Sequence, residues 1–164
     1  MKILICGNIA SGKGTLIKGV LEHLEDFEHL AIDDYRNKYG DGTQEGEDRA
    51  REQFIFDIRF SENCLVECTG VGKLFSMVRA EVDYRFLLST KPEECEKRFN
   101  DRDTKVTLPS TWFTGKSLRS SIDDIDKLHN RTGYKLIVRN NKNRDVVKVV
   151  TKIKGLQRRL NRLH

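Results

Sequence analysis

The sequence predicts an α/β domain built on a parallel sheet with helices on both faces. Short apolar runs alternate along the chain with segments of helical periodicity, and no internal repeat or linker separates them. Continuous apolar runs are typical of strands buried on both faces, and helices between successive strands indicate parallel pairing. A chain of 164 residues is most simply one domain, so we expect 1–164 to fold as a single unit. The candidate strands are the runs at 2–6, 29–32, 64–68, 83–89 and 135–138.

The N-terminal part of the chain contains the first two strands and one helix. KILIC is the first strand, and the apolar residues after it recur at helical spacing, which predicts a helix over about 13–25. HLAI is the second strand, and it ends on Asp33 and Asp34. The stretch 37–48 is polar and rich in glycine, so we expect an exposed, mobile loop there.

Further helices are predicted in the rest of the chain. An apolar helical face begins at Ala50 and precedes CLVEC, the third strand. A helix over about 92–101 begins with a proline and two glutamates, residues that suit a helix N-terminus. Two more helices are predicted over 118–130 and 144–163. Gly155 is a weak point of the last helix, at a cost of about 1 kcal/mol relative to alanine.

The charge of the chain is distributed unevenly. Its net charge is +5, yet residues 131–164 hold 11 basic side chains and one acidic side chain, Asp145. A basic C-terminal helix of this density favours a polyanionic partner, with nucleic acid first, while a solvated helix face is the alternative. No apolar run approaches the roughly 20 residues of a membrane span, and we expect a cytoplasmic protein with no membrane partner.

The cysteines and histidines show no pattern typical of a metal site. The four cysteines form no CxxC pair, and we expect buried, reduced thiols. The four histidines are scattered, and we expect none to be catalytic. These residues are Cys6, Cys64, Cys68, Cys95, His23, His29, His129 and His164.

The segment GNIASGKGT follows the first strand and opens the first helix, which is the context of a phosphate-binding loop. Glycines let backbone N–H groups turn toward phosphate oxygens, and the helix presents the positive end of its dipole to the same anion. Lys13 can reach the β- and γ-phosphates of a nucleoside triphosphate such as ATP. The candidate nucleotide-binding residues are Gly7, Ser11, Gly12, Lys13, Gly14 and Thr15, together with Arg98 farther along the chain.

Gly14 stands where the common form of this loop has the hydroxyl that ligates Mg²⁺, so Thr15 offers the nearest one. We therefore expect Mg²⁺ to be held more by phosphates, water and carboxylates, with Thr15, Asp33 and Glu67 as candidate ligands. The ending GKGT resembles that of adenylate kinase and other relatives of the nucleoside-monophosphate kinases. That resemblance implies a phosphotransferase with a three-layer fold, a parallel sheet in the order 2-3-1-4-5 and a short lid.

In an open parallel sheet, ligands gather at the carboxyl ends of the strands. This rule selects the phosphate loop, Asp33 and Asp34, Glu67–Gly72 and Ser89–Lys91 as the rim of the site.

IDDYR lies at the end of the second strand, and a carboxylate there faces the γ-phosphate. Asp33 or Asp34 can accept the proton of an acceptor hydroxyl, and Arg36 can bind an anionic group of the acceptor. The alternative is that an aspartate caps a helix and Arg36 lies at the surface.

A third group, EKRFNDRDTK, places Arg98 and Arg102 four residues apart before the predicted helix breaks. Arginines on a short segment of this kind can neutralise charge during transfer, and we expect a lid over about 99–116. Trp112 is either a packing residue of this region or a stacking platform for an acceptor base.

ECTGVGK ends the third strand. Glu67 can hold Mg²⁺ or its water, and Thr69 and Gly70 are candidates for contact with the acceptor. Adenylate kinases would place an Asp-Gly-aromatic-Pro-Arg element here and shikimate kinases three glycines. Neither is present, which weakens both small-molecule interpretations.

Together, the phosphate loop, DDYR and the paired arginines resemble the 5′-kinase domain of polynucleotide kinases over about residues 1–110. The resemblance implies Lys13 for the nucleotide phosphates, Asp33 as general base, Arg36 for the acceptor phosphate and Arg102 for the lid.

The main hypothesis is therefore an ATP-dependent kinase that acts on the 5′-OH end of a polynucleotide, with ATP and Mg²⁺ as cofactors. The alternative is a small-molecule kinase for a nucleoside monophosphate or a metabolite. A third hypothesis is a nucleotide-dependent binding module that transfers no phosphate.

Overall fold

The computed structural model describes residues 1–101, 117–129, 133–139 and 142–162, and these residues form five strands and seven helices. In chain order the elements are β1 (Lys2–Gly7), α1 (Lys13–Leu21), β2 (Glu28–Ala31), α2 (Ile32–Tyr39), α3 (Gln44–Phe60), β3 (Cys64–Cys68), α4 (Gly72–Glu81), β4 (Tyr84–Leu88), α5 (Pro92–Asn100), α6 (Leu118–His129), β5 (Leu136–Val138) and α7 (Asn143–Leu160).

The strands form one parallel sheet in the order β2-β3-β1-β4-β5, which confirms the predicted class and strand order. The central strand β1 pairs with β3 and β4, so that Ile5 lies beside Glu67 and Gly7 beside Leu88. This register brings the end of β3 next to the start of the phosphate loop. The carboxyl edge of the sheet therefore collects the predicted site residues.

Alternating residues of β1 divide the core between the two faces of the sheet. Ile3 and Ile5 belong to a cluster that includes buried residues of α1 and α7, such as Ile153. Leu4 and Cys6 belong to a second cluster, built largely with α3 and α4. Both faces of the sheet are thus covered, as the continuous apolar strands predict.

The turn from β2 into α2 differs from the prediction. The strand ends at Ala31, and Ile32 already begins a helix, so Asp33 and Asp34 lie in the first helical turn rather than at a strand end. Negative side chains are favourable there because the N-terminal N–H groups carry partial positive charge. Helix α1 also ends earlier than predicted, at Leu21.

The prediction of a mobile loop over 37–48 is wrong. Residues 40–43 connect α2 to α3, and a hydrogen-bonded cap begins α3. The Thr43 hydroxyl accepts a hydrogen bond from the Gly46 N–H at 3.0 Å, and the Asp41 carboxylate accepts one from the Thr43 N–H at 2.9 Å. These two bonds order the glycine-rich connection, because they satisfy N–H groups that a helix start leaves open.

Helix α4 is absent from the sequence-based expectations. Its buried residues Leu74 and Val78 stand four apart, which is helical spacing, but the helix has two buried positions in ten residues. So short an apolar stripe gives a weak periodic signal.

The four cysteines are buried and free, as expected, and burial raises the pKa of Cys68 and of Cys95 to about 11. None of the helices in the described ranges has the length and apolar content needed to cross a bilayer.

Candidate active site

The phosphate loop connects β1 to α1 in a curled conformation. Gly12 has φ +95°, which glycine adopts at little cost, and Ala10 has φ +54°. Lys13 is buried, and its Nζ donates hydrogen bonds to the carbonyl oxygens of Gly7 at 3.1 Å and Asn8 at 2.9 Å. The Ser11 hydroxyl is also buried and has no hydrogen-bond partner within the described part of the chain. The loop therefore places a cation and an unsatisfied hydroxyl together.

Residues from α5, from α6 and from the connection between β4 and α5 hold the loop from outside. The Thr90 hydroxyl and the Arg98 guanidinium both donate to the Ser11 carbonyl, at 2.9 Å and 2.7 Å. The Asn8 side-chain amide donates to the Ile122 carbonyl at 2.8 Å. Arg98, predicted as a nucleotide contact, thus lies against the loop backbone and also pairs with Glu94. These bonds limit the movement of the loop.

A cavity of about 360 Å³ opens beside the loop at the carboxyl edge of β2 and β3. It brings together five of the predicted residues, namely Lys13, Asp33, Arg36, Glu67 and Thr69. Four cationic and two acidic side chains contribute to its wall. The lining residues are Lys13, Ala31, Ile32, Asp33, Arg36, Arg51, Glu67, Cys68, Thr69, Val71, Gly72, Lys73 and Leu74.

The two neighbouring aspartates of α2 differ in position. The Asp33 side chain is 48% exposed, lines the cavity, and accepts a hydrogen bond from Arg36 at 3.1 Å. Asp34 is exposed and does not belong to the cavity lining. The helix geometry therefore separates two carboxylates that the sequence leaves equivalent.

A buried carboxylate, Glu47, joins the two arginines of the cavity wall. Arg36 donates two hydrogen bonds to it, both at 2.9 Å, and Arg51 pairs with it at 2.7 Å. Burial alone would lower the pKa of Arg36, but the hydrogen bond and charge of Glu47, together with Asp33, raise it. Sequence reasoning missed Glu47 and Arg51. Their spacing of four residues on one helix was the available signal.

Glu67 stands against the start of α1, where the loop lacks its usual hydroxyl. A Cβ at Gly14 would lie 3.4 Å from Glu67 Oε2, and His29 Nε2 lies 3.0 Å from the same oxygen. Thr15 is exposed on the helix surface. In the described ranges no group of three or more His, Cys, Asp or Glu side chains is arranged to hold a metal ion.

The connection from β3 to α4 is fitted closely to β1. Gly70 has φ +80°, and a Cβ there would lie 2.6 Å from Cys6 Sγ. His129 Nε2 lies 2.6 Å from the Thr69 carbonyl and donates to it, which ties α6 to this connection. Burial lowers the pKa of His129, and this keeps the ring neutral.

Two further predictions concern the lid and the basic C-terminal helix. Arg102, Trp112 and most of the predicted lid lie outside the described residues. The basic helix α7 packs in the core cluster of α1, on the face of the sheet opposite α3 and α4.

No protein-family model and no curated protein matches the chain. Several solved structures are similar to the chain. A shikimate kinase from Aquifex aeolicus is similar with a TM-score of 0.65 and 15% identity, over 96% of this chain and 98% of that one. A shikimate kinase from Acinetobacter baumannii in complex with shikimate has a TM-score of 0.62 and 17% identity, over 94% and 91%. For a gluconokinase from Sinorhizobium meliloti the values are 0.60 and 14%, over 99% and 94%. The chain therefore has the fold of these phosphate-loop kinases.

Proposed function

We propose that the protein transfers the γ-phosphate of ATP to a hydroxyl group of a small, anionic molecule. The observation that carries this proposal is the cavity of about 360 Å³, which combines Lys13 of the phosphate loop, a carboxylate and a cationic wall. A cavity of this size falls in the range of small-molecule sites, roughly 300–1,000 Å³.

The phosphate loop supplies the donor half of the site. Lys13 exchanges its two loop carbonyl partners for phosphate oxygens, and the Ser11 hydroxyl gains the partner that it lacks. Loop N–H groups and the N-terminus of α1 complete the cradle for the β- and γ-phosphates. Arg98 serves this half of the site by holding the Ser11 carbonyl.

The acceptor half lies between α2, α3 and α4. Asp33 accepts the proton of the attacking hydroxyl, a role that its place in the cavity wall supports over Asp34. Arg36, Arg51 and Lys73 bind the anionic group of the acceptor. Lys73 stands in the first turn of α4, where the helix N-terminus also favours an anion.

Magnesium is implied by ATP chemistry, and it would neutralise phosphate charge during transfer. Glu67 fits as a ligand because its carboxylate stands 3.4 Å from the Cβ position of Gly14, where other loops carry a hydroxyl. Asp33 and Thr15 remain candidate ligands. Mg²⁺ usually keeps several waters, so a small set of protein ligands suffices.

The polynucleotide acceptor is less well supported than the small molecule. The structures similar to this chain are named as shikimate kinases and a gluconokinase, and shikimate is a carboxylic acid with several hydroxyl groups. The basic helix α7 is the sequence feature that favoured a nucleic-acid partner. It lies on the other face of the sheet from the helices α3 and α4 that line the cavity. It therefore does not line the acceptor site.

In the test, the protein is incubated with ATP labelled at the γ-phosphate and with one class of acceptor at a time. The classes are hydroxy acids, sugar acids, nucleoside monophosphates and 5′-OH oligonucleotides. Label should pass to a small anionic compound. Asp33→Asn should lower kcat by about 10²–10⁴-fold, the usual contribution of a general base, while ATP affinity stays nearly unchanged.

Asp34→Asn is the matched control, because it removes the neighbouring carboxylate outside the cavity lining and should leave transfer intact. Equal losses in both variants would contradict the assigned base. Labelling of oligonucleotides with no small acceptor would contradict the substrate class, and ATP binding without transfer to any acceptor would indicate a binding module.

A further inference from the structure

Four basic residues of α7 form a stripe along one side of the helix. They are Arg144, Lys148, Lys152 and Arg159, and we call them the α7 stripe. At 100° per residue their directions fall within about 80° of arc, and they extend over about 22 Å of helix. The buried residues of α7, such as Ile153, point to another side and pack in the core.

The α7 stripe borders a shallow groove of about 380 Å³ between α7 and the edge strand β5. Three of its lining residues are basic, and none of those that the structure describes is acidic or aromatic. The lining residues are Leu136, Val147, Lys148, Thr151, Lys152, Gly155, Leu156 and Arg159. The groove therefore presents three cations along one side of a single helix.

Two further residues suit this groove to a phosphate backbone. Gly155 lies in the gap of the α7 stripe between Lys152 and Arg159, and a Cβ there would meet nothing within 4 Å, so a ligand can approach the helix closely. Thr151 offers a hydroxyl donor of the kind that contacts phosphate oxygens. The one acidic residue of α7, Asp145, is buried and lies 3.3 Å from Lys148. It therefore adds little repulsion at the surface.

We propose that the α7 stripe binds the phosphate backbone of double-stranded nucleic acid without reading its base sequence. A duplex carries the densest phosphate charge, one per about 1.7 Å of helix axis, and a row of four cations along one helix is complementary to it. Single strands are usually held by aromatic side chains that stack on the bases, and the described groove has none. Peptide grooves rely on apolar pockets, whereas Leu156 here is 4% exposed and belongs to the core, and Val147, at 60% exposure, stands on the groove wall beside Lys148.

This binding site is independent of the proposed kinase site, because α7 covers the other face of the sheet. Nucleic acid that binds there anchors the protein and is not the phosphate acceptor. The proposal therefore stands whether or not the cavity phosphorylates a small molecule.

The test measures the binding of the full chain to a fluorescent 20-base-pair duplex of arbitrary sequence by anisotropy, between about 50 and 200 mM salt. Neutralising about three to four phosphates predicts an affinity loss of about 40- to 150-fold over this range. Lys152→Gln with Arg159→Gln removes two cations of the α7 stripe, so the slope of log affinity against log salt should fall by about 1.8.

The matched control is Lys154→Gln with Arg158→Gln, which removes one lysine and one arginine from the same helix. Lys154 and Arg158 lie about 100–160° around the helix from Lys152 and Arg159, the two residues changed in the test variant, so the control should lower the slope much less than that variant does. Melting temperatures should agree between the two double variants. The proposal is overturned if both lower the slope equally, if wild type does not bind the duplex, or if polyglutamate binds more tightly than the duplex.

Discussion

Gly70 shows how a single residue sets the geometry of the candidate site. It lies in the connection that places Thr69 in the cavity wall, and its φ of +80° is a conformation that other residues adopt at a cost. A side chain there would also meet Cys6 on β1, 2.6 Å from the sulfur. The backbone beside the cavity thus depends on the absence of a Cβ at Gly70.

Gly70→Ala is expected to lower the free energy of unfolding by roughly 2–4 kcal/mol, because strain and overpacking add. Chemical denaturation measures the change. Gly155→Ala is the matched control, since nothing lies within 4 Å of its Cβ position. In a helix interior this control should raise stability by about 0.5–1 kcal/mol. An unchanged free energy of unfolding for Gly70→Ala would show that β1 shifts near Cys6 to make room for the added methyl group.

At the scale of elements, α2 and α3 are joined by hydrogen bonds from two consecutive residues of α2, Tyr35 and Arg36. The Tyr35 hydroxyl donates a hydrogen bond to Asp57 at 2.6 Å, and the Arg36 guanidinium donates two hydrogen bonds to Glu47. Both acceptors lie on α3. In the sequence, Asp34 and Arg36, on either side of Tyr35, are candidate site residues. In the fold, Tyr35 and Arg36 also dock one helix onto another, and this docking presents Arg36 and Asp33 to the cavity.

Glu47→Gln should therefore loosen the α2–α3 pair and lower the free energy of unfolding by about 3–5 kcal/mol, the usual cost of breaking a buried ion pair. The Glu47 side chain is 1% exposed, and each arginine beside it is 12% exposed. Urea denaturation at neutral pH tests the prediction. Glu93→Gln, which removes a 68% exposed partner of Arg119, should change stability by less than about 1 kcal/mol. Similar effects of the two changes would argue against a structural role for Glu47.

The whole molecule depends on both faces of its sheet. Phe54 is fully buried on the face of α3 and α4, and Ile153 is fully buried on the face of α1 and α7. Because the strands of one sheet separate the two clusters, weakening either cluster should destabilise the domain as a unit.

Phe54→Ala is expected to cost about 3–5 kcal/mol and Ile153→Ala about 2–5 kcal/mol of unfolding free energy. Phe60→Ala is the control for Phe54, because Phe60 ends the same helix with 68% exposure. It should cost less than about 1 kcal/mol. Denaturation followed by circular dichroism and by tryptophan fluorescence should give one coincident transition for each variant. Separate transitions would show that the two faces unfold independently.

The elements that sequence reasoning missed share a physical cause. Helix α4 has a short apolar stripe, and the order of residues 40–43 comes from the hydrogen bonds of Asp41 and Thr43, which depend on the helix that follows. Glu47 and Arg51 were missed for a related reason. A charged residue on an exposed-looking helix becomes part of a site when another element, here α2, packs over it.

The sequence by itself determined the α/β class, the five strands and the phosphate loop. These features follow from local sequence patterns, namely apolar runs, helical spacing, and glycines beside a lysine at the end of a strand. Only the tertiary structure decided that Asp33 faces the cavity while Asp34 does not, that Arg51 joins Arg36 through Glu47, and that α7 does not line the cavity. These outcomes depend on contacts between residues distant in the chain, which local patterns do not encode.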